Sequence, residues 1–290
     1  MVSSEDVRKL AFAKGMDYIG ITPVQRLKEA PAGHRPQDLL PQAKSVVVMG
    51  VRIGEGVAGA VKAARGGLRH AVYSYMMYGF VVLNAELNEA AHALARFLEK
   101  EGHMSLPIPA SPPFEQVKLE AAFSHRHAAV AAGLGEIGWH ANFMVPDAGP
   151  RVRLVSVLTE ASLEPDPVYA KGKLCDRSKC DICIRICPIQ AISPNKKVQF
   201  RIEDKTFEYS ANDKWRCRWA NRGLIKAALG SKDIIPPDPI TPDSYLQAVS
   251  QQNPWEAREI SSITDANFCG RCLAYCPVGK KASTYTRSFL

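Results

Sequence analysis

Four cysteines and a proline fall within fourteen residues of this chain, in the stretch CDRSKCDICIRICP at 175–188. A second, shorter run at 269–277 repeats its end: Cys269, Cys272 and Cys276 followed by Pro277, spaced C-x2-C-x3-C-P. Cys217 stands alone between them. The start, MVSSEDVRKL, carries no apolar signal segment, and the longest strongly apolar stretch, Val46 to Val51, falls far short of the roughly 20 residues that span a bilayer. A cytoplasmic protein with no membrane partner is therefore expected. Thiols stay reduced there, so eight cysteines argue for metal rather than disulfides.

The spacing favours iron–sulfur. C-x4-C-x2-C-x3-C-P approximates the bacterial two-cluster ferredoxin pattern, in which the cysteine before proline crosses to the other cluster. Short-spaced thiolates wrap one cluster, the chain turns into a helix, and the last cysteine points at the neighbouring site. One 4Fe-4S set is then Cys175, Cys180, Cys183 and Cys276, and the other is Cys187, Cys217, Cys269 and Cys272, which leaves no cysteine over. Zinc is the competing metal, though its four-cysteine sites usually come as two separated C-x2-C pairs. For Cys217, beside Trp215 and Trp219, the competing role is a small buried hydrophobe.

The formal charge of +8 counts these cysteines as neutral. Two clusters carrying about −2 each with their thiolates would bring it to about +4. Lys and Arg are scattered without a run of five, which speaks against nucleic acid as the direct ligand. At 290 residues and 46% hydrophobic composition the chain can bury a large core. The boundary is expected near 170, with an α/β domain over 1–170 and the cysteine-bearing module over 171–290.

In the first part, SEDVRKLAFAKG predicts a helix capped by Ser4 and closed by Gly15, followed by a strand at 18–22. AKSVVVMGV reads as a buried strand, and Leu83, Leu87, Ala91, Leu94 and Leu98 mark a helix ending near Gly102. MSLPIPAS is extended, HAAVAAGLGEIG runs a small-residue helix into a glycine turn, and RVRLVSVLTE alternates as a strand. Gly133, Gly135 and Gly138 form G-x-G-x-x-G, but a helical segment rather than a strand precedes them, against a dinucleotide site. Two readings remain: a tight packing turn, or a backbone cradle for another large cofactor.

The segments GMDYIGITP, LLPQAKSVVVMGV, AAVAAGLGEIGWHANFMVPDAGPRVRLVSVLTE, WRCRW and the two cysteine runs resemble, in matching order, the cobalamin-dependent iron–sulfur reductases: epoxyqueuosine reductase and the reductive dehalogenases. The resemblance implies an α+β chain, with a nitroreductase-like α/β domain that binds base-off cobalamin, followed by a two-cluster ferredoxin-like module that reduces the cobalt. It implies a small organic substrate, reduced ferredoxin or flavodoxin as electron donor, and allows a homodimer. Cofactor contacts are expected from Gly133, Leu134, Gly135, Gly138, His140, Asn142 and Phe143. An electron-transfer protein serving a separate corrinoid protein, or a relative without cobalamin, is the alternative.

Departures from the family sit at the substrate end. The D-S-A-P-like acidic segment before the glycine turn is replaced by KLEAAFSHRHAAV, and the chain ends soon after the second cysteine run, so tRNA is not the expected substrate. The proton donor is therefore sought elsewhere. Tyr75 and Tyr78, three apart in an expected helix, would face one pocket, with His125 next. Arg126, Arg151 and Arg153 are candidates for holding an anionic group.

Overall fold

A computed structural model describes residues 2–111, 113–253 and 269–279. The remaining parts of the expected second module, 254–268 and 280–290, lie outside the described residues.

Helix α1 (Ser4–Ala13) has its cap one residue before the expected Ser4. Ser3, rather than Ser4, accepts the Asp6 N–H at 3.1 Å, and the Asp6 carboxylate accepts the Ser3 N–H in return. Strands β1 (Tyr18–Pro23) and β2 (Ser45–Arg52) follow, with the short helix α2 (Pro36–Leu39) between them. Next come α3 (Glu55–Arg65), α4 (Val72–Met76), a π-helical turn at Met77–Val81, the long α5 (Val82–Lys100) and β3 (Ser105–Ile108). Then α6 (His125–Ala131), the two-residue strands β4 (Glu136–Ile137) and β5 (Phe143–Met144), and β6 (Val152–Thr159) complete the body.

The main sheet is antiparallel in the order β1-β2-β6-β3, so β2 and β6 are its centre. Both faces of these strands are covered. Val46, Val48, Leu154 and Leu158 pack toward α6, whereas Val47, Met49, Val155 and Val157 pack toward α1 and α5. The alternation in RVRLVSVLTE thus sorts apolar residues between two layers instead of separating core from solvent. On α5, Leu87, Ala91, Leu94 and Leu98 form one buried stripe, each leucine worth about 1.5–3 kcal/mol of burial. On α6, Ala128, Ala129, Val130 and Ala131 are all buried, and their small volume lets the helix lie close on the sheet.

The second part has little regular structure: α7 (Ile182–Arg185), the hairpin β7 (Lys197–Ile202) and β8 (Lys205–Ser210), α8 (Lys214–Asn221), α9 (Pro242–Ser250) and α10 (Arg271–Tyr275). Its hairpin joins the core of the first part, with Ile202 buried and Phe200, Phe207 and Tyr209 packed beside it. The two parts are therefore packed as neighbours along this edge. Trp219 and Tyr245 anchor a separate small core that Cys187 and Cys269 border.

Candidate metal centres

The thiols interact in two sets. Cys183 feels the charges of Cys175, Cys180 and Cys276, and Cys276 those of Cys175 and Cys180. Cys272 feels Cys269, Cys217 and Cys187, while Cys217 feels Cys269 and Cys187. These interactions link Cys175, Cys180, Cys183 and Cys276, and separately Cys187, Cys217, Cys269 and Cys272. Among the described residues no three His, Cys, Asp or Glu side chains converge on a single metal ion.

Desolvation, and then the neighbouring thiols, pushes Cys183 and Cys217 up to about 12. Bare, these sulfurs stay protonated; ionising four together requires a compensating positive charge, as a metal supplies. Cys217 is exposed by area but still desolvated, which places it at the wall of a crowded surround rather than in the small core. That core is filled by Trp219, whose ring N–H donates to the Ile234 carbonyl at 2.9 Å.

Donors point at the sulfurs of both sets. The Trp139 N–H reaches Cys175 Sγ at 3.3 Å, the Ala191 N–H reaches Cys187 Sγ at 3.2 Å, and Asn142 Nδ2 reaches Cys272 Sγ at 3.4 Å. Backbone N–H groups of Ile184, Arg271 and Val278 favour the thiolates of Cys183, Cys269 and Cys276. Such bonds stabilise sulfur-borne negative charge and tune cluster potential.

The second cysteine run docks tightly on the α/β body. A β-carbon on Gly149 (φ +57°) would strike the Val278 carbonyl, and one on Gly279 (φ +72°) would strike the backbone of Ala148 and Gly149. Arg151 clamps the joint by donating to the Cys276 and Val278 carbonyls at 3.1 and 2.7 Å. Arg153 instead donates to Asn84 Oδ1 at 2.6 Å and lies 4.3 Å over the Phe80 ring, and Arg126 donates to the Ala141 carbonyl. All three candidate anion binders thus hold parts of the protein itself.

The glycine turn packs closely against the chain's own atoms. Side chains at Gly133 (φ +74°) and Gly135 would strike the carbonyls of Pro167 and Met144. One at Gly138 would come within 2.8 Å of the His140 ring and the Met144 sulfur. Phe143 is core, and Leu134 packs against Gly20. Protein atoms thus fill the side of the turn on which the glycines would carry a β-carbon. His140 and Asn142 stand apart from this: His140 is buried with Nδ1 accepting the Asn142 N–H at 3.1 Å and Nε2 without a partner, and Asn142 faces Cys272.

The tyrosine pair also needs correcting. The π turn at Met77–Val81 breaks the expected helical phase, so Tyr75 is 2% exposed and Tyr78 is 58% exposed, and they share no pocket face. Tyr75 packs on the second cysteine run: a β-carbon on Gly270 (φ +58°) would lie 2.8 Å from its ring and 3.0 Å from its hydroxyl. Burial, then the Cys272 and Cys269 charges, hold this phenol protonated, with Arg153 opposing. His125 has both ring nitrogens engaged, to Ser156 Oγ at 2.8 Å and to the Pro109 carbonyl at 2.9 Å. Pro109 can only accept, so Nε2 carries the proton, and burial pushes the ring down to about 4. Near neutrality the ring is therefore the neutral imidazole, which is not a general acid.

Sequence reasoning missed Trp139. It is 7% exposed and packs with Cys183 and Ile192 against Cys175, Cys187 and Cys272, members of both sets. The signal was the Gly-Trp pair closing GLGEIGW, a bulky aromatic at a turn with no apolar periodicity to explain it.

No family model matches the chain. It is 32% identical over 148 residues to a tetrachloroethene reductive dehalogenase of Dehalobacter restrictus, a match covering 48% of this chain and 25% of that protein. A tetrachloroethene reductive dehalogenase of Desulfitobacterium hafniense is 31% identical over 149 residues, with the same coverage. The chain thus matches about a quarter of the length of these curated relatives. In fold, an epoxyqueuosine reductase crystal structure superposes on 95% of this chain and 65% of its own at TM-score 0.52 and 18% identity. A reductive dehalogenase described as performing B12-dependent dehalogenation covers 93% of this chain and 37% of its own at TM-score 0.54 and 18% identity. One epoxyqueuosine reductase structure of this fold holds a modified tRNA stem loop. The chain is therefore similar in sequence, over about half its length, to tetrachloroethene reductive dehalogenases, and over nearly all of it shares the fold of epoxyqueuosine reductase and reductive dehalogenase structures.

Proposed function

We propose that the chain is an iron–sulfur oxidoreductase built on the plan 1–170 and 171–290, with a ferredoxin-like second module. In it, Cys175, Cys180, Cys183 and Cys276 hold one 4Fe-4S cluster, and Cys187, Cys217, Cys269 and Cys272 hold the other. The observation that carries this is the sorting of the eight thiols into two interacting sets of four, each with N–H donors on its sulfurs. Thiols that interact without converging on one ion suit the wider span of a cluster. Clusters held this way supply single electrons, and reduced thiols in this number suit the cytoplasm.

Electrons enter at the first set, beside the loop carrying exposed Lys171, Lys173, Lys179 and Arg185, which suits an acidic donor such as reduced ferredoxin or flavodoxin. They leave from the second set, which faces Tyr75 and the α/β body. The substrate class is a small electrophilic organic molecule, of the kind tetrachloroethene is for the relatives. Replacing a carbon–halogen bond by carbon–hydrogen consumes two electrons and one proton and releases halide; Tyr75, the phenol at the second set, is the proposed proton source.

Cobalamin, brought in by the B12-dependent neighbour, finds no room on the side of Gly133 and Gly135 where a side chain would stand, since the Pro167 and Met144 carbonyls fill it. No step is derived through it. The same observation favours, as second reading, an electron-transfer protein that serves a separate corrinoid protein. Among the described residues no helix is long and apolar enough to cross a membrane.

Anaerobic purification with cobalamin supplied, followed by iron and cobalt analysis and turnover of a chlorinated ethene with reduced ferredoxin, tests the reading. About eight irons per chain and halide release are expected. Eight irons without turnover would favour the carrier, and an iron-free protein would overturn both.

A further inference from the structure

The β4–β5 hairpin ends in a tight tip, Gly138 to Asn142, that reaches from the α/β body in between the two thiol sets. The tip is fixed from several sides. Gly138 donates to the Asn142 carbonyl at 2.9 Å, Ala141 N–H donates back to Gly138 at 2.8 Å, and Ala141 takes the left-handed conformation at φ +63°. For a residue with a β-carbon that conformation costs on the order of 1 kcal/mol or more and persists only where the surroundings enforce it. Arg126 holds the Ala141 carbonyl, Asn212 Nδ2 holds the His140 carbonyl at 3.1 Å, and the Trp139 ring N–H donates to Ser193 at 2.9 Å.

From this tip one donor goes to each set. Trp139 offers its backbone N–H to Cys175 Sγ, and Asn142 offers its side-chain amide to Cys272 Sγ. A thiolate can only accept, so the amide nitrogen faces the sulfur. His140, buried beside them, accepts the Asn142 backbone N–H and so holds Asn142 in place. The Trp139 ring packs in one apolar cluster with Cys175 and Cys183 of the first set and Cys187 and Cys272 of the second.

We propose that this hairpin tip sets the difference in reduction potential between the two clusters, with Asn142 as the tuning donor to the second cluster and His140 as its positioning residue. The inference rests on the two-cluster reading. Hydrogen bonds to sulfur favour the more negative, reduced cluster and raise its potential. The Trp139 bond comes from the backbone and survives side-chain replacement. The Asn142 bond does not, so the second cluster can be retuned alone.

The test is an EPR-monitored redox titration of the parent, Asn142→Leu and Asn142→Asp, each first assayed for iron. Leu keeps the volume and removes the donor; Asp keeps the shape and places a carboxylate against the sulfur. The second cluster should become harder to reduce by about tenfold in Asn142→Leu, which is about 59 mV for one electron, and further in Asn142→Asp, while the first cluster keeps its potential. Both potentials unmoved, both moved together, or iron lost from both sets in both variants would overturn the tuning role and leave the two-cluster reading standing. A parent without iron would overturn the two-cluster reading itself, and this inference with it.

Discussion

The two thiol sets are made of the same residue type at similar spacing, yet they sit in different surroundings. The first is bordered by a loop of short-range ion pairs, Lys179 with Asp176 and Arg185 with Asp181, whose charges are largely in water. The second is walled by the α/β body through Tyr75 against Gly270 and Asn142 on Cys272, and by the small core of Trp219 and Tyr245 against Cys187 and Cys269. Burial accordingly raises Cys272 well above the usual thiol range. The contrast lies in what borders each set, a charged loop for the first and packed side chains for the second; by area Cys183 and Cys276 of the first are buried and Cys217 of the second is exposed.

The crossed ligation offers the strongest way to break this comparison. Cys276→Ser lies in the second run but should strip the first cluster, and Cys187→Ser lies in the first run but should strip the second. Each should lose about half the iron, with complementary EPR spectra. Loss following the runs instead of the crossed sets would end the assignment.

Gly135→Val comes next. A side chain there strikes the Met144 carbonyl behind the hairpin that separates the sets, so overpacking of about 1–3 kcal/mol or more should lower the melting temperature and weaken both clusters alike. A stable Gly135→Val protein that merely fails to take up cobalamin would restore the cradle reading.

Much of this was legible in the residues, and the failures have physical causes. Cysteine spacing is a covalent constraint that survives folding, so a division of the thiols into two sets could be proposed from it. The stripe on α5 was equally plain, because Leu87, Leu94 and Leu98 need only a helical period. Phase was not legible where the helix changes type: the π turn after Met76 separates Tyr75 from Tyr78, and nothing in YSYMMYGF announces it. Nor could the sequence say what fills the space beside a glycine. G-x-G-x-x-G admits a ligand or a carbonyl equally, and here Pro167 and Met144 provide the carbonyls from elsewhere in the fold.

Tyr75→Phe sharpens the delivery side. It should leave the iron content of both sets intact and lower single-turnover reduction at least about tenfold, the lower part of the range for a general acid. Unchanged turnover would move the proton source away from the second set.

The smallest effect concerns the body alone. His125, His127 and His140 are all held down to about 4 by burial, below the ordinary 6.5. As pH falls below 6.5 the unfolded chain takes up protons that the folded chain refuses until about 4, so stability is full above 6.5 and declines through that window. His125→Gln should flatten the decline between about pH 7 and about pH 5 in urea midpoints, while both sets keep their iron near neutrality. Parallel curves for parent and variant would show that His125 contributes nothing to it.

Two separate four-iron clusters are the central claim, and iron and sulfide analysis with EPR during stepwise reduction of the anaerobically purified parent addresses it most directly. About eight irons and eight sulfides per chain, with a second signal growing in at lower potential and interacting magnetically with the first, is the predicted result. About four irons with a single signal, or one tightly bound zinc and no sulfide, would contradict it.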